Sequence, residues 1–242
     1  MLDSAIILPT YNESENIRDL ILAIEDLNIN PLILVIDDSS PDGTQEIVRE
    51  LQRKFSNIML VVRPRKMGLG TAIREGFRIL ESLPEKPEYV ITMDADFSHN
   101  PRDIPRLIEY AMEGYDVVVG SRYIRGGAIK GWGPTRIIIS RIANKIAKAL
   151  IKLPVNDFTS GFRCYSMRYI QKVAPRLKSQ RFEIQVETLK QAQLLGMKVT
   201  EIPITFENRK KGRSKLTLKE IINFLMCAIK YLSIVDVTEE SY

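Results

Sequence analysis

The stretch Tyr89-Val90-Ile91-Thr92-Met93-Asp94-Ala95-Asp96 decides how this chain is read. A short apolar run, bounded by Pro87 and by Asn100-Pro101, reads as a buried strand with the two acids leaving its carboxyl end. That edge is where open parallel sheets bind ligands. Alternate residues of an extended segment point the same way, so Asp94 and Asp96 are placed to share one hard cation through oxygen ligands. An isolated Asp-x-Asp is more often a solvated loop after a strand, and its meaning depends on the rest of the chain.

Outward from this stretch, strand and helix patterns alternate. Towards the N-terminus, Ala5 to Leu8 is a strand, Asn12 and Glu15 have the spacing of a capping box, and Ile17, Leu20, Ile21, Ile24 and Leu27 share a helical face. Leu32 to Ile36 is a second strand and Ile47, Val48, Leu51 and Phe55 a second helical stripe. Ile58 to Val62 and Thr71 to Leu83 repeat the unit, with Ala72, Ile73, Gly76, Phe77 and Leu80 inward. Beyond the acidic pair come a helix with Ile104, Leu107, Ile108 and Ala111, then a strand over Asp116 to Gly120. The alternation predicts an α/β fold with a mostly parallel sheet flanked by helices. Gly68-Leu69-Gly70 lacks the third glycine of a dinucleotide fingerprint, since Ile73 stands there, and reads as a glycine-rich strand-to-helix connection. No Walker lysine motif occurs, and the single histidine, His99, argues against a hydrolytic triad.

After Gly120 the character changes. Gly126-Gly127 and Gly131-Trp132-Gly133-Pro134 read as a mobile basic linker, followed by a helix over residues 135–153 with Ile138, Ile142, Ile146 and Leu150 on one side and only cations among its charged residues. Two readings stand for this helix: a membrane interface, or ordinary packing on the sheet with lysines in water. Asp157 to Arg163 reads as a polar turn leading into a short strand, Glu183 to Leu195 as a helix, and Val199 to Phe206 as an alternating edge strand. A last amphipathic helix is expected over residues 217–235; Asn223 and Lys230 interrupt it, so it reads as interfacial and not spanning.

The chain has 242 residues, enough for a full core, and its 45% hydrophobic and 27% charged residues are ordinary globular values. The net charge of +5 is unevenly spread. No acid occurs from Val117 to Asn156 or from Asn208 to Lys219, while both stretches are rich in lysine and arginine; the remainder is net acidic. Such a field favours a phosphate-bearing partner or an anionic membrane. Nucleic-acid binding is disfavoured, because interleaved aromatics and a recognisable module are missing. Cys164 and Cys227 form no disulfide or zinc pattern, and Asp3 interrupts any secretory signal, so a reducing, cytoplasmic setting is expected.

Six motifs carry a resemblance. Leu8-Pro9-Thr10-Tyr11-Asn12-Glu13, Asp37-Asp38-Ser39-Ser40-Pro41-Asp42-Gly43-Thr44, Gly68-Leu69-Gly70-Thr71-Ala72, Met93-Asp94-Ala95-Asp96, Gly120-Ser121-Arg122-Tyr123 and Asp157-Phe158-Thr159-Ser160-Gly161-Phe162-Arg163 resemble, in order and spacing, the polyprenyl-phosphate sugar synthases, above all the dolichol-phosphate mannosyltransferases. The resemblance implies a GT-A nucleotide-sugar-binding fold, with residues 1–216 catalytic and 217–242 a membrane-docking helix and tail. It implies mannose transfer from GDP-mannose to dolichyl phosphate, inverting, with Mg or Mn. Carried over by position, Pro9, Tyr11, Glu13, Ile36, Asp37, Asp38 and Ala95 would line the nucleotide pocket. Asp94 and Asp96 would hold the metal, with Ser98 a poorer ligand than the glutamine of some relatives. Arg122, Arg136 and Ser140 match the acceptor-phosphate positions; Arg209 and Lys215 match a closing loop, and Arg181 a basic position near the sugar. Asp94, Asp96, Arg122 and Arg209 are the expected catalytic set.

A lipid monophosphate has a second pKa of about 6 and arrives deprotonated, so no general base is required. Longer relatives add transmembrane helices where this chain ends at Tyr242. Attachment to the cytoplasmic face of a membrane is therefore expected to be peripheral, through the two amphipathic helices or a separate transmembrane subunit. Glucosyl transfer from another nucleotide sugar, or a noncatalytic nucleotide-binding membrane subunit, are the alternatives.

Overall fold

A computed structural model describes residues 3–208. Arg209, Lys215, Cys227 and the expected helix over 217–235 lie outside the described residues.

The chain alternates as its apolar runs predict: β1 (Ser4–Thr10), α1 (Ile17–Glu25), β2 (Leu32–Asp37), α2 (Thr44–Gln52), β3 (Ile58–Val62), α3 (Leu69–Ser82), β4 (Tyr89–Thr92), α4 (Ile104–Met112) and β5 (Val117–Ser121). Then follow β6 (Ala128–Lys130), α5 (Pro134–Ile151), β7 (Arg163–Ser166), α6 (Met167–Val173), α7 (Ile184–Leu194), β8 (Val199–Pro203) and β9 (Thr205–Glu207). Seven strands form one sheet in the order β3-β2-β1-β4-β7-β5-β8; β7 runs antiparallel to both neighbours, and the other pairings are parallel.

Burial on both faces explains the unbroken apolar strands. Ala5 and Ile7 of β1 pack with Ala72, Phe77 and Leu80 of α3, while Ile6 and Leu8 pack with Ile17, Leu20 and Ile21 of α1. Gly76 lies directly over β1, where a Cβ would stand 2.7 Å from Ile7 Cδ1. Because β1 is flanked by β2 on one side and β4 on the other, the strand order reverses beside β1. A crevice forms there at the carboxyl edge.

Three sequence expectations need correction. The Asn12 and Glu15 capping box does not form: Asn16 is the N-cap of α1, and Asn12 instead donates its N–H to Ser40 Oγ at 2.9 Å. The linker after Gly120 contains β6, which pairs in parallel with β9 as a second small sheet. The single edge strand expected over Val199 to Phe206 is two strands in two sheets, since β8 closes the main sheet and β9 leaves it. The polar segment from Asp157 leads, as expected, into a short strand, β7, and it is buried: Asp157, Phe158, Phe162 and Arg163 have no exposed surface.

Candidate active site

The loops after β1, β2, β3 and β4 open on the carboxyl edge and line a cleft of about 480 Å³. Pro9, Tyr11, Glu13, Ile36, Asp38, Asp94, Ala95, Asp96 and Arg181 border it, and so does Arg136, a residue expected on the acceptor side. Asn12, Ser39 and Phe97, one in each of the loops after β1, β2 and β4, adopt positive φ of 56°, 55° and 60°. Such non-glycine left-handed residues collect where surrounding structure over-determines the backbone, often at ligand sites. The first two loops are stitched together, because Glu13 N–H donates to Thr44 Oγ1 at 3.0 Å and Ser14 N–H to Asp42 at 2.9 Å.

Asp37 and Asp38 divide their work. Asp37 is fully buried and does not border the cleft; it accepts from Thr10 Oγ1 (2.8 Å), Ser40 N–H (2.8 Å), Ser40 Oγ (2.5 Å) and Gln45 Nε2 (2.9 Å). Its place is to tie the ends of β1 and β2 together. Asp38 faces the cleft, accepts from the N–H groups of Met67 and Gly68, and pairs with Arg63. Arg63 is itself buried and bridges to Thr71 Oγ1 at 2.6 Å. Sequence reading passed over Arg63, and also Lys66, whose ammonium sits 4.1 Å from the centre of the Tyr11 ring. The signal was available: both follow β3 at the same sheet edge.

Gly68 and Gly70 are required by close approach. A Cβ on either would stand 2.6 Å from a carbonyl oxygen, that of Gln180 or of Ser179 respectively. Their absent side chains let residues 179–181 reach the start of α3, which brings Arg181 to the cleft.

The acidic pair sits where the sheet order reverses. Asp94 is partly exposed and Asp96 buried. The backbone N–H of Asp94 donates to His99 Nδ1 at 3.3 Å, and Asp96 Oδ1 accepts from Ser98 N–H at 3.0 Å. His99 is buried, stacks on Phe162 at 5.0 Å, and has its pKa pulled down to about 4 by that burial. Ser98 does not border this cleft; it borders a separate cavity with Glu15, Asp19 and Glu207. Among the described residues no cluster of three or more histidine, cysteine or acidic side chains forms a metal site. Two carboxylates bordering a cleft fit magnesium or manganese, which commonly take one or two carboxylates and complete their shell with substrate phosphate and water.

A second, smaller chamber of about 110 Å³ adjoins the cleft, and Leu69, Asp94, Arg136, Phe182 and Phe206 border both. Arg122, Arg136 and Ser140 meet there, across the boundary from Asp96. Arg122 is forked onto Asp157, with Nε to Oδ2 and Nη2 to Oδ1 both at 2.7 Å, and Nη2 also reaches Thr159 Oγ1 at 2.7 Å. Burial pushes the Asp157 carboxyl up, but the charge and hydrogen bonds of Arg122 more than reverse this and hold it below the usual carboxylate range. Trp132 lies between the two arginines, 5.4 Å from Arg122 and 3.9 Å from Arg136, and its buried Nε1 has no hydrogen-bond partner. Ser140 Oγ accepts from the Tyr123 hydroxyl at 2.7 Å. Asp157, Thr159, Trp132, Phe206 and Gln185 are chamber or supporting residues that sequence reading did not assign to the site.

The α5 helix presents Ser140, Ala143, Asn144, Ala147 and Ile151 to the protein. Its predicted apolar stripe faces the other way: Ile138, Ile142 and Leu150 are 57%, 50% and 46% exposed. No helix among the described residues is long and apolar enough to cross a membrane.

Comparison with known proteins agrees with this geometry. Glucosyl-3-phosphoglycerate synthase from Mycobacterium tuberculosis, solved with Mn2+, UDP and glucosyl-3-phosphoglycerate, superposes with a TM-score of 0.69 at 18% identity, covering 93% of this chain and 77% of that one. Mannosyl-3-phosphoglycerate synthase from Rubrobacter xylanophilus gives 0.63 at 17% identity, covering 99% and 75%. The fold is therefore the GT-A fold of glycosyltransferases. The chain belongs to glycosyl transferase family 2, whose sequence model matches residues 5–174. Polyprenol monophosphomannose synthase of Mycolicibacterium smegmatis is 34% identical over 214 residues, covering 88% of this chain and 80% of that protein. Dolichol-phosphate mannosyltransferase of Pyrococcus furiosus is 36% identical over 225 residues; the match covers 91% of this chain and spans 61% of that protein's length.

Proposed function

We propose that the protein transfers mannose from GDP-mannose to a polyprenyl phosphate such as dolichyl phosphate, with inversion, at a membrane surface. The observation that carries this reading is the meeting of two cavities at Asp94 and Arg136, one bearing the acidic pair and the other the arginines. The names of the two relatives support the acceptor class and the mannosyl group.

Asp94 and Asp96 would hold the metal, which when bound supplies positive charge against the departing diphosphate. The remaining work belongs to the chain. The Asp38–Arg63 pair and Tyr11 shape the nucleotide end of the cleft. In the chamber, Arg136, Ser140 and the unpartnered Trp132 Nε1 offer donors to an acceptor phosphate. Arg122 spends Nε and Nη2 on Asp157 and Thr159, so it orients the chamber wall and leaves Nη1 for an anion. One phosphate oxygen of the lipid attacks the anomeric carbon as the bond to the diphosphate breaks opposite it, which inverts that carbon. The nucleophile is already ionised, and His99, with its pKa near 4, is a poor base; the site needs alignment of two anions more than proton transfer. Arg209 and Lys215 are proposed to act on the same groups from outside the described residues.

The exposed Ile138, Ile142 and Leu150, flanked on α5 by Arg141, Lys145 and Lys148, support a membrane contact for this helix. The cytoplasmic face and a separate transmembrane subunit belong to the same proposal. Turnover with GDP-mannose against UDP-glucose on dolichyl phosphate tests the donor: preference for GDP-mannose is expected, and preference for the uridine donor overturns it.

A further inference from the structure

We infer that Gln185 reads the hydroxyl pattern of the transferred sugar. The inference rests on the nucleotide-sugar reading of the adjoining cleft. Gln185 stands in the first turn of α7 and borders the small chamber. Its backbone is anchored, because its carbonyl accepts from Arg163 Nη1 at 2.6 Å and from Thr188 Oγ1 at 3.2 Å. Arg163 is fully buried and also donates to the Phe158 carbonyl at 2.9 Å, which ties α7 to the loop after α5. The side chain thus starts from a fixed point. Only 4% of Gln185 is exposed, yet its Oε1 is buried without a hydrogen-bond partner. Folded proteins seldom leave such an acceptor unpaired, and in a residue that lines a cavity a turn of the carboxamide brings it to a water or to a ligand's donor.

Gly161 supplies the opening. A Cβ there would stand 3.1 Å from Gln185 Nε2 and 3.6 Å from Asp94 Oδ1, so the carboxamide and the carboxylate flank one point that a side chain would fill. Leu69, Phe182 and Phe206 give the same chamber apolar surface. A hexose has the matching character, with C–H faces and a rim of hydroxyls. A primary amide accepts on one atom and donates on the other in one plane, so it can span two adjacent hydroxyls. An epimer with one hydroxyl displaced leaves one of those atoms unpaired in a buried site, which is the strongest form of discrimination available to a pocket.

The test measures kcat/KM for GDP-mannose and GDP-glucose with dolichyl phosphate, together with Kd for GDP, in wild type, Gln185→Leu and Gln185→Glu. In Gln185→Leu, mannosyl transfer should fall about 100-fold and the preference between the two sugars should shrink at least about tenfold, with GDP affinity within about threefold of wild type. Gln185→Glu keeps the shape and an acceptor, so it covers the case in which the leucine variant does not fold, and it should shift the preference too. Gly161→Ala should weaken both sugar donors relative to GDP by closing the gap. Equal losses for both sugars, or a loss of GDP binding as large as the loss of transfer, would overturn the inference. If wild type prefers UDP-glucose, the GDP-mannose reading fails and the ratio of UDP-glucose to UDP-galactose decides on Gln185 by the same criteria.

Discussion

Arg122 and Asp157 form a buried fork at the wall between the chamber and the core, with both N–H···O contacts at 2.7 Å. Removing one partner strands the other charge away from water, which costs about 3–5 kcal/mol for pairs of this kind. Asp157→Asn should therefore lower stability by that order in denaturant unfolding and depress transfer. Replacing both by apolar residues, Arg122→Met with Asp157→Leu, should recover part of the stability and none of the transfer. Equal stability in all three proteins would contradict the fork's structural role.

Asp37 is fully buried beside the cleft without bordering it. Asp37→Ala removes an acceptor for four donors, from the end of β1, the loop after β2 and the start of α2, and should cost about 2–4 kcal/mol of stability. Chemical denaturation of the variant checks this. Unchanged stability with lost GDP binding would instead put Asp37 in the pocket.

The buried His99 gives a pH signature. Its pKa is lowered to about 4 in the folded state, against about 6.5 when unfolded, so protons bind the unfolded chain first as pH falls. Its contribution is complete above pH about 6.5 and drains away as pH falls towards about 4, amounting to at most about 3 kcal/mol. Stability of wild type measured across that window should fall more steeply than that of His99→Gln. Parallel curves would show that the imidazole is not held neutral.

The outward stripe on α5 predicts a surface phenotype. Ile138→Asp with Ile142→Asp should leave the melting temperature within a few degrees of wild type, because both side chains are at least half exposed. Binding to anionic vesicles at low salt should weaken about tenfold or more, as each isoleucine contributes about 1.5–3 kcal/mol when withdrawn from water. Co-sedimentation decides it, and undiminished vesicle binding would remove α5 from the interface.

Much of this architecture was legible in the sequence, for a physical reason. Strands buried on both faces read as unbroken apolar runs, and β1, β2, β4 and β5 were found that way; the helices between them announced their inner faces by spacing. The position of the acids after β4 followed from the geometry of sheet edges, whereas their role rested on the other motifs of the chain. What escaped were features made by distance in sequence. Arg122 meets Asp157 across 35 positions and Asp38 meets Arg63 across 25, and no local pattern encodes either pairing. The two three-residue strands β6 and β9 are too short to show a period of two. On α5 the direction of the stripe was open because small and polar side chains, Ser140, Ala143 and Asn144, can pack inward when an asparagine satisfies the neighbouring backbone. Asn144 Oδ1 does so by accepting from Phe158 N–H at 2.6 Å.

The most direct measurement of the central claim is formation of lipid-linked mannose from GDP-mannose and dolichyl phosphate, with Mn2+ or Mg2+ added or chelated, by wild type, Asp94→Ala, Asp96→Ala and Arg136→Ala. The account predicts an inverted, lipid-linked product from wild type that requires the metal, and losses of at least about 100-fold in each variant, since each removes a charge from the positioning of two anions. Metal-independent transfer, or undiminished product from Asp94→Ala and Asp96→Ala, would contradict it.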